Sequence, residues 1–387
     1  RRHTRCLSDW SSDVCSSDLG VVEDAAFVVS DGLISWLGSA SDAPAAESEV
    51  SLAGRAVLPG FVDSHAHLVF AGDRGDEFAA RMAGQTYTAG GIAQTMRLTR
   101  AATDEQLRRQ CAQLVSEMAE SGITHLEIKS GYGLTLHDEL RAVEIAGEFT
   151  DDVTLLAAHV VPPEFTDNRD AYVGLIVDEM LPAARGRAKW VDVFCDRGAF
   201  TMAETRRIFA AAEGFGLRLH GNQLERGDTI ALASEFDLAS VDHCTHMSDD
   251  DLRLLAETQT VATLLPGAEF STRSVYPDVR RFFEAGVTVA IATDCNPGSS
   301  YTTSMPFCIT IVVRDMHFSV EQAVWAATAG GAAALRRTDV GRIAAGARAD
   351  FIVLDAPSSV HLAYRPGVSL VHQTWRNGAL VASRDQS

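Results

Sequence analysis

Residues 56–67 read AVLPGFVDSHAH, a short run of apolar, strand-forming residues that ends in two histidines separated by one residue. Seven further runs of this kind follow, with stretches of helical periodicity between them. They are ITHLEIKSG (123–131), VTLLAAH (153–159), WVDVFC (190–195), LRLHGN (217–222), LASVDH (238–243), TVATLLPG (260–267) and TVAIATD (288–294). Eight such β/α units predict an α/β fold of the (β/α)8 TIM-barrel type, which typically spans about 250 residues.

The helical stretches carry their own start signals. Thr103-x-x-Gln106 and Thr201-x-x-Glu204 predict capping boxes, and Ser248 predicts the N-cap of the helix that follows it. A doubly wound open sheet is the alternative fold. It is disfavoured because the sequence has neither a G-x-G-x-x-G motif after the first strand nor a phosphate-binding loop.

The two ends of the chain predict a second, smaller β domain. Strand-like runs flank Asp31-Gly32 near the N-terminus and Asn377-Gly378 near the C-terminus, and both dipeptides are typical of two-residue hairpin turns. The first 19 residues lack apolar periodicity and nearly repeat a Ser-Asp motif, so we interpret them as a non-native leader. The predicted division is a leader (1–19), the N-terminal part of the small β domain (20–56), the barrel (57–340) and the C-terminal part of the small β domain (341–387).

The composition of the 387 residues excludes several classes of protein. With 46% hydrophobic and 22% charged residues, the chain has an ordinary globular composition. Its net charge of −19 disfavours nucleic acid as a partner, because phosphate backbones would be repelled. No apolar run is long enough for a membrane-spanning helix. The seven cysteines are scattered without a C-x-x-C pair, which predicts reduced thiols and a cytoplasmic location.

Histidines and aspartates lie at the carboxyl ends of five predicted strands, and in a barrel these ends meet at one mouth, where catalysis takes place. His65 and His67 share one side of an extended strand, and His220 and Asp294 arrive from other strands. Three imidazoles and one carboxylate suit Zn²⁺ or Fe²⁺, and such an ion can activate a water molecule. Each residue alone has a simpler structural explanation. Because core packing does not require them to share one end of the barrel, the set predicts a metal site.

Five segments resemble the imidazolonepropionase family of the amidohydrolase superfamily: LPGFVDSHAHLVFAGDR, EIKSGYGL, AAHVVPPE, TLLPG and ATDCNPGSS. They occur in the family's order from about residue 20 to the C-terminus. The first is typical of the whole superfamily, whereas K-S-G-Y-G-L and D-x-N-P-G-S-S are much narrower. The resemblance implies an amidohydrolase-type barrel and a metal-dependent hydrolase of histidine degradation. Its reaction would open the cyclic amide of 4-imidazolone-5-propanoate to give N-formimidoyl-L-glutamate.

The resemblance also implies roles for individual residues. The metal ligands would be His65, His67, His220 and Asp294. The residues that contact substrate or product would be Arg74, Tyr132, His159, Gln223, Asn296, Gly298 and Ser299. The candidate catalytic residues would be His243, Asp294 and Gln223.

The chemistry of these side chains agrees with the implied roles. Arg74 can pair with the propanoate carboxylate of the substrate. An amide cannot act as a base, so Gln223 leaves proton handling to His243, Asp294 or both. The resemblance further implies one divalent ion per chain, Zn²⁺ or Fe²⁺, a small-molecule substrate and a homodimer.

Two other functions remain open at this point. The nearest is another mononuclear amidohydrolase, either a cyclic amide hydrolase or a nucleobase-type deaminase. A non-catalytic barrel that serves as a binding module is the alternative from a different class. A binuclear centre is disfavoured, because it would need a carboxylated lysine at the end of the fourth strand, where residues 194–196 read Phe-Cys-Asp. Lys189 begins that strand, and Lys129 lies on the second strand.

Overall fold

The computed structural model describes residues 4–7, 20–84 and 91–386, and its strands form two sheets. The strands are β1 (Thr4–Leu7), β2 (Val21–Ser30), β3 (Leu33–Ser39), β4 (Ala56–Pro59), β5 (Phe61–Asp63), β6 (Ile123–Lys129), β7 (Asp152–Ala158), β8 (Trp190–Cys195), β9 (Gly216–Gly221), β10 (Leu238–His243), β11 (Val261–Leu264), β12 (Val289–Ile291), β13 (Phe351–Leu354), β14 (Val371–Arg376) and β15 (Ala379–Ser383).

The larger sheet contains β5 to β12 in the order of the sequence, and all of its strand pairs are parallel. Its two outer strands meet just beyond their carboxyl ends. There the amide of Asp294 donates to the carbonyl of His65 at 3.0 Å, and the amide of His67 donates to the carbonyl of Cys295 at 2.9 Å. The sheet therefore closes into the predicted eight-stranded barrel.

Helices follow most of the barrel strands, and the predicted start signals are confirmed. Thr103 and Thr201 each form a complete capping box, and Ser248 forms a third one with Asp251. The helices are α1 (Gly75–Met82), α2 (Ile92–Ala101), α3 (Asp104–Glu120), α4 (Leu136–Gly147), α5 (Arg169–Leu175), α6 (Leu181–Ala184), α7 (Met202–Ala211), α8 (Leu232–Glu235), α9 (Asp249–Ala256), α10 (Pro266–Thr272), α11 (Val279–Ala285), α12 (Met305–Asp315), α13 (Val320–Trp325), α14 (Gly331–Ala334) and α15 (His361–Tyr364). No helix among the described residues is long and apolar enough to cross a membrane.

The smaller sheet combines strands from both ends of the chain in the order β15-β14-β13-β4-β1-β2-β3. Both predicted hairpins are confirmed. Asp31 and Gly32 connect β2 to β3, Asn377 and Gly378 connect β14 to β15, and all four residues have the positive φ that such tight turns require. Of the predicted leader, Thr4–Leu7 lies in this sheet between β4 and β2, and the remainder lies outside the described residues.

The first predicted strand is two strands in different sheets. Residues 56–59 pair with the small sheet, whereas residues 61–63 begin the barrel. The break falls at Gly60, where a Cβ atom would collide with the side chain of Thr124. The sequence did not predict this division, because both halves are buried and apolar. An apolar pattern indicates that a strand is buried, but not which sheet it belongs to.

Candidate active site

The predicted site residues surround a pocket at the carboxyl ends of the barrel strands, with an empty volume of about 440 Å³. His67, His220, His243 and Asp294 lie on it together with most of the predicted substrate residues. The complete lining is His67, Arg74, Ile92, Tyr132, His159, Phe194, His220, Gln223, Leu224, His243, Asp294, Asn296 and Ser299. The ring of His65 is fully buried beside the ring of His67.

The four predicted ligands converge at this pocket. Nε2 of His65 lies 3.2 Å from Nε2 of His67, and these atoms lie 3.5 and 3.4 Å from Oδ1 of Asp294. Ligand atoms of His65, His67 and His220 all fall within 4.8 Å of one another. Among the described residues, Nε2 of His220 and Oδ2 of Asp294 are buried without a hydrogen-bond partner. Buried polar atoms are rarely left unpaired, so this donor set fits a divalent cation bound between them.

Two buried carboxylates hold the ligand rings from behind. Nδ1 of His65 donates to Asp242 at 2.7 Å, and Nδ1 of His220 donates to Asp192 at 3.1 Å. Each contact places the proton on Nδ1 and leaves the lone pair of Nε2 for a cation. Burial alone would raise the pKa of Asp294, but its contacts with His65 and His67 hold this pKa well below its usual range. The site therefore offers three imidazoles and one ionised carboxylate.

His243 lies beside the ligand set. Its ring centroid is 5.9 Å from that of His65 and 5.4 Å from that of His220. Burial lowers the pKa of His243 to about 3, so the imidazole is neutral near pH 7. Among the described residues its Nδ1 atom has no hydrogen-bond partner. The structure thus places the ring of His243 beside two of the predicted ligands.

Arg74 forms a cationic wall of the pocket. It is 4% exposed, and its Nε and Nη2 atoms both donate to Glu77 at 2.7 Å. A Cβ atom on Gly298 would collide with Nη1 of Arg74, so the glycine at 298 allows the guanidinium to approach the 296–299 turn. Two of its three nitrogens thus face Glu77, and among the described residues Nη1 makes no hydrogen bond.

The turn at residues 296–299 is held together by Asn296. Its Oδ1 accepts from the amides of Gly298 and Ser299, both at 2.8 Å, and its Nδ2 donates to the carbonyl of Asp294 at 2.6 Å. The carbonyl of Gly298 accepts from Arg81 at 2.5 Å. Both ends of the Asn296 amide are used inside the turn and shape it beside Asp294, and the contact of Asn296 with substrate stays a prediction.

The remaining predicted residues also line the pocket. His159 donates from Nδ1 to the carbonyl of Gly131 at 2.9 Å, and burial lowers the pKa of its ring to about 4, so a neutral ring is left with Nε2 as an acceptor. Its ring stacks on that of His67, and the ring of Tyr132 lies 5.4 Å away. Gln223 is placed by Asp196, which accepts from its backbone amide at 2.8 Å.

Several residues of the site were missed by the sequence reasoning. Glu77 was not paired with Arg74, and Asp192 was not recognised as the support of His220. Lys129 was considered only as a bridge between two metals. Charged residues inside the apolar runs of β6 and β8 were the available signal, because a fully buried charge needs a partner.

The comparisons with known proteins agree with this geometry. The amidohydrolase family model matches residues 56–381. The chain is 59% identical to the imidazolonepropionase of Mycolicibacterium smegmatis over 94% of this chain and 92% of that protein. It is also 59% identical to the imidazolonepropionase of Salinispora tropica over 93% of both chains.

Solved structures share the fold at much lower sequence identity. An atrazine chlorohydrolase from Arthrobacter aurescens in complex with zinc and atraton has a TM-score of 0.75 at 16% identity, over 100% of this chain and 95% of that one. A 5-methylcytosine deaminase from Klebsiella pneumoniae has a TM-score of 0.74 at 15% identity, over 99% and 97%. At such identities the likeness concerns the fold alone. By the family model and by its high identity to relatives over nearly its full length, the chain belongs to the imidazolonepropionase family of the amidohydrolases.

Proposed function

We propose that the protein hydrolyses 4-imidazolone-5-propanoate to N-formimidoyl-L-glutamate, the reaction of imidazolonepropionase in histidine degradation. The observation that carries this proposal is a single pocket with a ligand set at one side and a buried arginine at another. The ligand set suits the attack of water on a cyclic amide. Arg74 suits a substrate that carries a carboxylate next to its ring.

The metal would be held by His65, His67, His220 and Asp294, and we propose one Zn²⁺ or Fe²⁺ per chain. Both ions accept this mixture of imidazole and carboxylate. When bound, a divalent cation supplies Lewis acidity, which acidifies a water molecule and polarises a carbonyl oxygen.

The chain's own residues supply binding, orientation and proton transfer. Nη1 of Arg74 and the hydroxyl of Tyr132 would bind the propanoate, and His159 would accept a hydrogen bond from the imidazolone ring. Holding the ring in one orientation lowers the entropic part of the barrier. Burial of the pocket residues excludes bulk water and strengthens each of these contacts.

His243 would move the proton. Its neutral ring takes a proton from the attacking water as the C–O bond forms at the ring carbonyl. It returns the proton to the ring nitrogen as the C–N bond breaks, so that water is consumed and the ring opens. We prefer His243 to Asp294 as the base, because the carboxylate is a predicted ligand, whereas the ring of His243 lies beside the ligand set without belonging to it. Gln223 would orient substrate through its amide.

We make two further proposals about the protein. We propose a cytoplasmic location, because the five cysteines at 111, 195, 244, 295 and 308 are free and buried. We also propose a homodimer, which the family resemblance implies.

A substrate panel tests the proposed function. Loss of imidazolone absorbance should be fast with metal-loaded protein, and the product should be N-formimidoyl-L-glutamate by mass spectrometry. Dihydroorotate and cytosine represent the other cyclic amide hydrolases and the nucleobase deaminases. Turnover of either compound in preference to the imidazolone would overturn the proposal, and binding without turnover of any of them would favour a non-catalytic barrel.

A further inference from the structure

Five fully buried charged side chains lie behind the histidine ligands inside the barrel. They project from β6, β8, β9 and β10, and no part of any of them reaches solvent. This charged layer consists of Glu127, Lys129, Asp192, Arg218 and Asp242. Buried charges on this scale are costly unless each is paired, so their arrangement requires a reason.

Lys129 is at the centre of the charged layer. Its Nζ atom donates to Glu127 at 2.9 Å and to Asp192 at 2.8 Å, and it lies 3.8 Å from Asp242. Asp192 and Asp242 are the carboxylates that hold His220 and His65 by their Nδ1 atoms. One ammonium group therefore joins the supports of two metal ligands that come from different strands.

The two carboxylates depend on Lys129 to different degrees. Asp242 has a second cationic neighbour, since Arg218 donates to it at 3.3 Å and is itself fixed by the carbonyls of Ser64 and Ala334. For Asp192, Lys129 is the single lysine or arginine in ion-pair contact among the described residues. Burial alone would raise the pKa of Asp192, but its contacts with His220 and Lys129 hold it below the usual range.

We propose that Lys129 is a positioning residue for the metal site: by holding Asp192 and Asp242 against the Nδ1 atoms of His220 and His65, it directs both Nε2 atoms toward the cation. This proposal rests on the metal-binding part of the proposed function. Lys129 touches neither substrate nor metal in this assignment and acts through the two carboxylates.

Removal of the ammonium would leave three buried carboxylates facing one guanidinium. Excess negative charge among fully buried side chains is costly, and it is relieved when one carboxylate turns away from its partners. Of the two carboxylates that hold the histidines, Asp192 depends more on Lys129, because among the described residues no other lysine or arginine is in ion-pair contact with it. Once Asp192 no longer accepts from Nδ1, the ring of His220 loses its fixed orientation, and outer supports of this kind typically contribute 10–100-fold to metal affinity.

The chain offers a matched control, because it contains only two lysines. Lys189 forms an ion pair with Asp152 at 2.6 Å, at the opposite end of the barrel where the strands begin. The experiment compares Lys129→Met with Lys189→Met by titrating metal-free protein with Zn²⁺ against a chromophoric chelator. We expect the Zn²⁺ dissociation constant to rise roughly 10–100-fold in the first variant and to stay at the wild-type value in the second. Equal dissociation constants in the wild type and folded Lys129→Met would overturn the proposal.

A second variant covers the case in which Lys129→Met does not fold. Glu127→Gln combined with Lys129→Gln removes one negative and one positive charge, so the net charge of the charged layer is unchanged while Asp192 still loses its cation. Weakened Zn²⁺ binding and a shifted visible spectrum of the Co²⁺-loaded form are expected, because both report the ligand geometry. Wild-type affinity and an unchanged Co²⁺ spectrum would show that Lys129 serves charge balance only. Failure of wild-type protein to bind Zn²⁺ would instead refute the metal-binding part of the proposed function.

Discussion

His243 holds a backbone conformation that few residues other than glycine adopt, with a φ of 75°, and the next residue, Cys244, also has a positive φ of 52°. Strain of this kind costs about 1–3 kcal/mol and persists only where the surroundings enforce it. Here it turns the chain at the end of β10 so that the imidazole lies beside the rings of His65 and His220. The strained backbone at His243 thus lowers local stability and fixes the position of its ring at the pocket.

Replacement of His243 by Gln tests its role in proton transfer. The variant should retain its metal, while turnover falls by roughly 10²–10⁴-fold, because a general acid–base group contributes to the rate and not to metal affinity. Elemental analysis and steady-state kinetics on the same sample give both values. Loss of the metal would place His243 among the ligands, and nearly intact turnover with a lowered melting temperature would make it a packing residue.

Replacement of Arg74 by Met tests whether Arg74 binds the carboxylate of the substrate. The metal should remain, and kcat/KM for the imidazolone should fall by the equivalent of about 2–5 kcal/mol, the usual consequence of losing one partner of a buried charge pair. The internal control is an imidazolone analogue that lacks the propanoate, for which the effect should be much smaller. If both compounds lose equally, Arg74 does not bind the carboxylate.

At the scale of elements, local patterns were sufficient for most of the fold. Capping boxes and the two hairpins were predictable because a few neighbouring residues determine them. The convergence of the candidate ligands was predictable because strand ends meet at one end of a barrel. The split at Gly60 was not predictable, since it depends on Thr124 in another strand. The pairing of Lys129 with Asp192 was missed for the same reason, as 63 residues separate the two partners.

The junction of β5 and β12 is the element that assembles the metal site. Because it brings Asp294 to His65 and His67, His65→Ala or Asp294→Ala should each abolish both stoichiometric metal and turnover. His137, whose side chain is 84% exposed, provides the matched control, and His137→Ala should keep both. Elemental analysis decides the matter: full metal content with retained activity in either ligand variant would refute the assignment.

The helix α10 contributes a buried acid near the site. Glu269 is 2% exposed, and burial raises its pKa to about 8, so the carboxyl is protonated in the fold near pH 7. Between its ordinary pKa of 4.5 and about 8 the folded state binds more protons than the unfolded state, so its contribution to the free energy of unfolding falls as the pH rises.

Glu269→Gln removes this pH dependence. Relative to the wild type, metal-free protein with this substitution should gain stability as the pH rises from 5 to 8. Over this range the unfolded wild type releases the proton of Glu269, whereas its folded state must retain that proton or bury a negative charge. Denaturant unfolding at both pH values provides the measurement. A stability difference that is the same at pH 5 and pH 8 would show that Glu269 titrates normally.

At the scale of the whole molecule, the two sheets have different roles. The barrel gathers the predicted ligands from three strand ends, and the small sheet joins both ends of the chain at β4, directly before the first barrel strand. The chain has a net charge of −19, and the lining of its pocket includes the cation Arg74. An anionic small molecule is therefore bound by a specific contact and not by the general field.

Titration of metal back into stripped protein tests the central claim most directly, namely that one divalent cation held by His65, His67, His220 and Asp294 sustains imidazolone hydrolysis. Activity should be absent at the start, rise in proportion to added Zn²⁺ or Fe²⁺, and reach its plateau at one equivalent per chain. Full activity in the stripped protein, or a plateau at two equivalents, would contradict the account.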